Sequence, residues 1–340
     1  MEENVYIVTG AMGHLGNNLI NKLLENGEKV IGLALNGDET VEYQNPNFRL
    51  VRGNVCDIAS LEPLFDGTDG KKIFVIHTAG IVSIASKYQQ KVFDVNVGGT
   101  NNILKICLAH NVAKLVHVSS VHAIPEVANN GVISEVSSFN PDDVFGLYAK
   151  TKSKASQLVL DAVRQGLNAS IVHPSGIFGP CDFSHGHLTQ MIIDYLNGNL
   201  FAFVKGGYDF VDVRDVADGI ISCIEKGAAG ECYILSNQYY TVGEILEIVH
   251  NITGKKMLKT CLPTWLAKCT APLAESYYRM KKTPPLYTAY SLYTLSCNAN
   301  FSHEKAGEML SYHPRLMRNT LKDTVKWLSD SGRLKNKLDL

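Results

Sequence analysis

The sequence carries almost no net charge: 32 Lys and Arg stand against 33 Asp and Glu, a formal -1 at pH 7. The two signs are mixed along the chain, so nothing marks it for a polyanion, and no nucleic-acid partner is expected. It also lacks any C-x-x-C pair. The eight cysteines (Cys56, Cys107, Cys181, Cys223, Cys232, Cys261, Cys269, Cys297) are scattered, as ordinary thiols of a reducing, cytoplasmic compartment would be. No apolar run approaches the ~20 residues of a membrane span. No basic, cleavable leader precedes the first apolar run, and no secretory route is expected. Repeats and low-complexity tracts are absent too. One stretch, "LPTWLAKCTAPLAESYY" (residues 262–278), is apolar with few charges. It reads as a helix over a substrate cleft, broken near Pro272, with a membrane-surface helix as the minor alternative.

What is present suits one large folded domain, or two that share a cleft. Of 340 residues, 45% are hydrophobic and 19% charged, enough for a sizeable core and too apolar for disorder. Short apolar runs at 5–9, 30–35, 48–51, 73–77, 115–119 and 169–173 alternate with helical periodicity at 15–24, 95–110 and 149–165. That alternation predicts an α/β fold, a Rossmann-like doubly wound parallel sheet with helices on both faces. After about Gly179 the pattern loosens. We expect residues 1–178 to form the dinucleotide-binding domain, with 208–226 returning to its main sheet. Residues 179–340 form a smaller, mainly substrate-binding domain, with helices at 242–252 and 319–329.

Three glycines directly follow the first apolar run, in "TGAMGHLG" (residues 9–16). A strand-to-helix turn that approaches a pyrophosphate needs positions without a Cβ and the anion-attracting start of a helix. Gly10 makes the turn, Gly13 lets backbone approach phosphate, and Gly16 lets helix pack on strand. The spacing is G-x-x-G-x-x-G, not G-x-G-x-x-G, and the bland alternative is a tight structural turn. The flanking strand and amphipathic helix supply the context the motif requires. In this fold an acid at the end of the second strand binds the adenosine ribose, and an arginine there accepts a 2′-phosphate. Ala34 and Leu35 occupy those positions and do neither; Asp38 and Glu39 lie further into the loop. With no carboxylate to exclude the phosphate, the expectation leans to NADP over NAD.

"LYAKTK" places Tyr148 and Lys152 four apart, on one face of a helix. A phenol ionises near pH 10, and a cation within ~4–6 Å lowers that by about 1–3 units. Lys152 is therefore expected to make Tyr148 a usable general acid for ketone reduction, or base for alcohol oxidation. Tyr277/Lys281 and Tyr278/Lys282 share the spacing. Only Tyr148 follows a strand-end serine, Ser120 of "VHVSSVHA", placed where open α/β sheets keep their ligands. The bland alternative is an exposed helical Tyr and Lys.

These motifs together resemble the extended branch of the short-chain dehydrogenase/reductase superfamily, the NAD-dependent epimerase/dehydratase type, over nearly the whole chain. "VIHTAG" (75–80), "DVNVGGTNNIL" (94–104), "VHPSGIFGP" (172–180) and "FVDVRDVADG" (210–219) are similar to its later segments. Within the branch, "VIHTAGIVS" and "VHVSS" resemble the dihydroflavonol-reductase and 3β-hydroxysteroid-dehydrogenase group. The resemblance implies a catalytic Ser120, Tyr148 and Lys152. It implies cofactor contacts at Thr9, Gly10, Met12, Gly13, His14, Leu15 and Gly16. It further places Asn54 and Val55 near adenine and His77, Thr78, Ala79 and Gly80 along the cleft. His173, Pro174, Ser175 and Ile177 would stand at the nicotinamide end. The family often carries Asp where Asn54 stands and Arg where His173 stands. It also implies a homodimer formed through the helices at 95–110 and 149–165.

Other polar residues read more plainly. Asn96, inside "VNVGGT", is expected to tie backbone together, not to touch substrate. His185 and His187 lack a third clustered ligand, so no metal is expected. Trp265, Tyr287, Tyr290 and Tyr293 line a pocket or pack the core. The expected function is hydride transfer between a nicotinamide cofactor and a secondary alcohol or ketone of a small, cyclic substrate, flavonoid-, steroid- or related carbonyl-type. One alternative is a nucleotide-sugar epimerase or dehydratase with tightly bound NAD, against which Lys205 is the sole formal cation in 181–207. The other is an inactive NAD(P)-sensing protein.

Overall fold

The computed structural model describes residues 3–38, 43–84, 87–184, 186–263 and 289–338. The expected helix over 262–278 lies almost wholly outside them, as do His185, Trp265, Tyr287, Cys269 and the pairs at Tyr277 and Tyr278.

The apolar runs form a seven-stranded parallel sheet. Along the chain come β1 (Asn4–Thr9), helix α1 (His14–Glu25), β2 (Lys29–Ala34), β3 (Phe48–Arg52) and β4 (Lys72–His77). A longer helix follows, α2 (Gln90–Phe93) running through a π-helical stretch (Asp94–Gly99) into α3 (Thr100–Ala109). Then come β5 (Lys114–Val118), α4 (Leu147–Arg164) and β6 (Ala169–Pro174). Alternate residues feed different faces: Ile7, Val75, Leu115 and Ile171 enter one core cluster, and Tyr6, Val8, Val116 and Val172 the other. Burial on both faces is why these strands read as continuous apolar runs instead of alternating ones. Glycines close α1 and α4. Gly27 (φ +80) returns its N–H to Leu24 while Glu28 reaches Leu23, a left-handed C-cap.

The second half begins with β7 (Gly176–Phe178), α5 (His187–Leu196), β8 (Phe203–Val204) and β9 (Gly207–Asp212). It continues with α6 (Val213–Lys226), β10 (Cys232–Leu235), β11 (Gln238–Thr241) and α7 (Val242–Thr253). The returning segment differs from expectation. Its strand β9 joins a separate three-stranded sheet, between β11 and β7. Its helix α6 does return, packing against α1. The strand that extends the main sheet is β10, beside β6, giving the order β10-β6-β5-β4-β1-β2-β3. At this edge Ile234 N–H is capped by Glu135 Oε1 at 2.8 Å. Asp212, fully buried, caps α6 through Arg214 N and takes the Arg214 guanidinium at 2.7 Å. Arg315 spans Asp212 and Asp215, fastening the C-terminal region to α6. Charges this deep persist because each has its counter-charge.

Candidate active site

The glycine turn sits where β1 meets α1, and each glycine has its own reason. Gly10 has φ +70, and a Cβ there would stand 2.9 Å from Ala79 N and Thr78 Oγ1. At Gly16 a Cβ would stand 2.1 Å from the Gly10 carbonyl, so α1 seats on the strand end only because that atom is missing. At Gly13 a Cβ would meet only Gly10 O, at 3.2 Å. Gly13 is the N-cap of α1 and supplies no side-chain cap, and the first turn holds no acidic residue. The first amides of α1 are thus left to an external acceptor, the arrangement that binds phosphate. A dinucleotide pyrophosphate fits this cradle. Around it Met12 and Leu15 are buried, and His14 Nε2 contacts Pro180 O at 3.1 Å.

The other cofactor candidates are divided. Thr78, Ala79 and Gly80 run along the top of β4, partly or well exposed. Thr78 Oγ1 donates to Thr9 O at 2.6 Å. His77 is buried beneath them, 1% exposed, and bonded to Thr9 Oγ1 and Thr100 Oγ1; burial first, then the Lys152 charge, pushes its pKa down to about 3. Asn54 is exposed and accepts from Cys56 N. Val55 is buried against Gly99. At the far end His173, fully buried, reaches Ser120 O through Nδ1 at 2.9 Å. Pro174 ends β6, Ser175 lies beside the buried Asp209 carboxylate, and Ile177 is half-buried in β7.

An arginine does stand beside the end of the second strand, where the sequence reading finds none. Parallel register sets Arg52 of β3 opposite Ala34 of β2. Its guanidinium donates to Leu35 O at 2.5 Å and to Asp38 O at 3.4 Å. Asp38 turns its carboxylate back onto Leu35 N at 3.0 Å.

Ser120, Tyr148 and Lys152 come together, all under a tenth exposed. The Ser120 hydroxyl lies near enough to the Tyr148 phenol to favour its ionised form. Lys152 Nζ donates to Val118 O at 2.9 Å, and a Cβ on Gly80 would lie 3.4 Å from it. The helix bearing Tyr148 and Lys152 and the row Thr78–Gly80 therefore meet at Gly80. The electrostatics differ from expectation. Burial raises the Tyr148 phenol to about 12, with Ser120 pulling the other way. Burial alone lowers Lys152 to about 8. A dry pocket disfavours both charged forms, and Lys152 is not among the groups that act on the phenol, against the attraction read from the spacing.

Asn96 lies in the π-helical stretch, where the wider turn aims it at Ile81. It accepts from Ile81 N at 2.8 Å and donates to Ile81 O at 3.0 Å, the backbone tie expected of it. Rings wall the Tyr148 side. His122 stands edge-on to Tyr148, centroids 5.9 Å apart. It stacks on Tyr208 at 5.3 Å and bonds the Tyr208 hydroxyl at 3.1 Å. Tyr290 packs on Gly146 (φ +95), where a Cβ would stand 2.2 Å from its ring. The buried Tyr290 hydroxyl has no partner among the described residues. Beyond it Tyr293 packs at a tilt against Phe145, centroids 4.5 Å apart. The sequence hinted at His122 only by its place two residues after Ser120, and at Tyr208 not at all. His187 is exposed at the start of α5, and among the described residues no three metal-ligating side chains gather.

A phosphate cradle leading to a buried serine–tyrosine–lysine set defines a dinucleotide-dependent enzyme built on a Rossmann-like sheet. The chain belongs to the NAD dependent epimerase/dehydratase family, whose model matches residues 6–239, and it is an extended short-chain dehydrogenase/reductase of the NAD(P)-dependent oxidoreductase class. It is 31% identical to the sterol demethylase protein B of Methylococcus capsulatus, over 96% of this chain and 98% of that one. It is 29% identical to a putative dihydroflavonol 4-reductase of Synechocystis, over 97% and 96%. The solved structure of gox2253 superposes with a TM-score of 0.83 at 30% identity, over 97% and 99%. The UDP-glucose 4-epimerase of Thermotoga maritima shares the fold, with TM-score 0.73 and 20% identity over 96% and 99%. No helix among the described residues is long and apolar enough to cross a membrane.

Proposed function

We propose that the chain reduces a ketone, or oxidises the matching secondary alcohol, on a small cyclic substrate, with Tyr148 as the proton donor and acceptor. The gathering of buried Ser120, Tyr148 and Lys152 beside a wall of rings carries this reading. A bound nicotinamide would supply or accept the hydride. Ser120 orients the substrate oxygen and Tyr148 moves its proton. At about 12 the resting phenol is protonated, the form that ketone reduction needs. Lys152 would hold the nicotinamide ribose, and the amides of α1 the pyrophosphate. His122, Tyr208 and Tyr290 offer flat apolar surface with few charges, which suits a ring better than a sugar diphosphate.

The same proposal takes NADP over NAD, because Arg52 places a guanidinium at the end of β2. The seven described cysteines are all free, which supports a reducing, cytoplasmic setting. Family resemblance supports a homodimer through the α3 and α4 faces, which light scattering on the eluting protein would test. The deciding experiment titrates the purified protein with NADH and NADPH, then follows reduced-nicotinamide absorbance over a panel of cyclic ketones. NADPH consumption is the expected result. Retained NAD with no net change in external cofactor would point to an epimerase instead.

A further inference from the structure

The buried polar residues between the glycine turn and the catalytic helix form one continuous chain of hydrogen bonds. Ala79 N–H donates to Thr9 Oγ1 at 3.2 Å. Thr9 Oγ1 meets His77 Nδ1 at 2.7 Å, and His77 Nε2 meets Thr100 Oγ1 at 3.1 Å. Thr100 donates to Asn96 O at 2.7 Å. From the same residue, Asn96 Nδ2 donates to Thr151 Oγ1 at 3.1 Å, and Thr151 donates to Tyr148 O at 2.8 Å. Thr9, His77, Asn96, Thr100 and Thr151 are all 2% exposed or less.

The protons in this chain have one arrangement. A hydroxyl has a single hydrogen, and that of Thr100 goes to the Asn96 carbonyl. His77 Nε2 must therefore donate to Thr100. A neutral imidazole carries only one N–H, so Nδ1 accepts and the Thr9 hydroxyl donates to it. Burial and the nearby Lys152 charge keep the ring neutral.

We infer that His77 is a positioning residue. As its Nε2–H tautomer it ties the strand end bearing the glycine turn to the helix turn bearing Tyr148. Cofactor and phenol are then held in one frame; the use of that frame rests on the function proposed above, while the tautomer and the tie do not. A histidine that merely fills the core would stabilise the fold without setting either partner.

Thr100→Val breaks the chain at similar shape, and Thr100→Ser keeps it. Thr9→Val and Thr9→Ser do the same at the other end, should one position fail to fold. Three readouts are taken on folded protein: 15N spectra of labelled histidine, the Tyr148 13Cζ resonance (assigned with Tyr148→Phe), and NADPH affinity by fluorescence. The expected results are an Nε2–H tautomer for His77 and a displaced Tyr148 resonance in the valine variants. Their NADPH affinity should fall about fivefold or more, the scale of one lost hydrogen bond, with recovery in the serine variants. An Nδ1–H tautomer would overturn the inference. So would valine variants that melt earlier yet keep the Tyr148 resonance. If the wild type binds no NADPH, the proposed function fails, and the two resonance measurements still decide the role of His77.

Discussion

Lys152 Nζ donates to the Val118 carbonyl at 2.9 Å, so the helix bearing Tyr148 is pinned to the end of the strand that leads into Ser120. This bond, more than the four-residue spacing, sets the serine beside the phenol. It also leaves Lys152 in a buried site that disfavours its charge.

That burial has a pH signature. Lys152 titrates at about 8 in the native protein, against 10.5 for the free side chain. Below the lower value both states hold the proton and the desolvation cost is full. Between the two values only the unfolded chain holds it, so stability rises with pH across that window. The gap corresponds to roughly 3 kcal/mol, and losing the bond to Val118 offsets about 1 kcal/mol. Lys152→Met should therefore be more stable than wild type by about 2 kcal/mol near neutral pH, with the gain shrinking toward pH 10.5. Denaturant unfolding across that range checks it; a constant difference would contradict it.

The glycine turn makes a graded prediction. Gly16→Ala drives a Cβ onto the Gly10 carbonyl, a backbone atom that cannot swing aside. Gly10→Ala adds an unfavourable φ to a close approach. Both should abolish measurable NADPH binding, and Gly13→Ala, with its 3.2 Å contact, should weaken it less. Gly27→Ala, at φ +80 in open space, should cost about 1 kcal/mol of stability and leave binding intact. Equal binding by the Gly16 and Gly27 variants would exclude the cradle.

Arg52 should separate the two cofactors. If NADP binds as proposed, Arg52→Ala removes a charged donor from beside its 2′-phosphate, a loss of about tenfold or more in NADPH affinity on the scale of a charge-assisted hydrogen bond. NADH affinity should be nearly unchanged. Fluorescence titration with both cofactors tests this, and parallel losses would assign Arg52 to loop structure alone.

The sheet was legible because β1, β2, β4, β5 and β6 are buried on both faces and so form unbroken apolar runs. The edge was not. "DFVDV" and "CYIL" are comparable apolar runs, and nothing local says that only the second pairs with β6. Arg52 escaped notice for the same reason: its position beside Ala34 follows from pairing of β2 with β3, eighteen residues apart in sequence. Spacing placed Tyr148 and Lys152 on one helix face, yet spacing carries no dielectric, and burial reversed the expected pKa direction for the phenol. The π-helical stretch was hidden because its residues fit an α-helical period equally well.

Tyr148→Phe tests the central claim most directly, because it deletes one oxygen and leaves the ring between His122 and its helix. Initial rates with NADPH and a substrate ketone, measured beside NADPH affinity on the same samples, separate chemistry from binding. The account predicts a rate loss of about 100-fold or more, the usual worth of a positioned general acid, with affinity within about twofold. A Tyr148→Phe variant that turns over at the wild-type rate would contradict it.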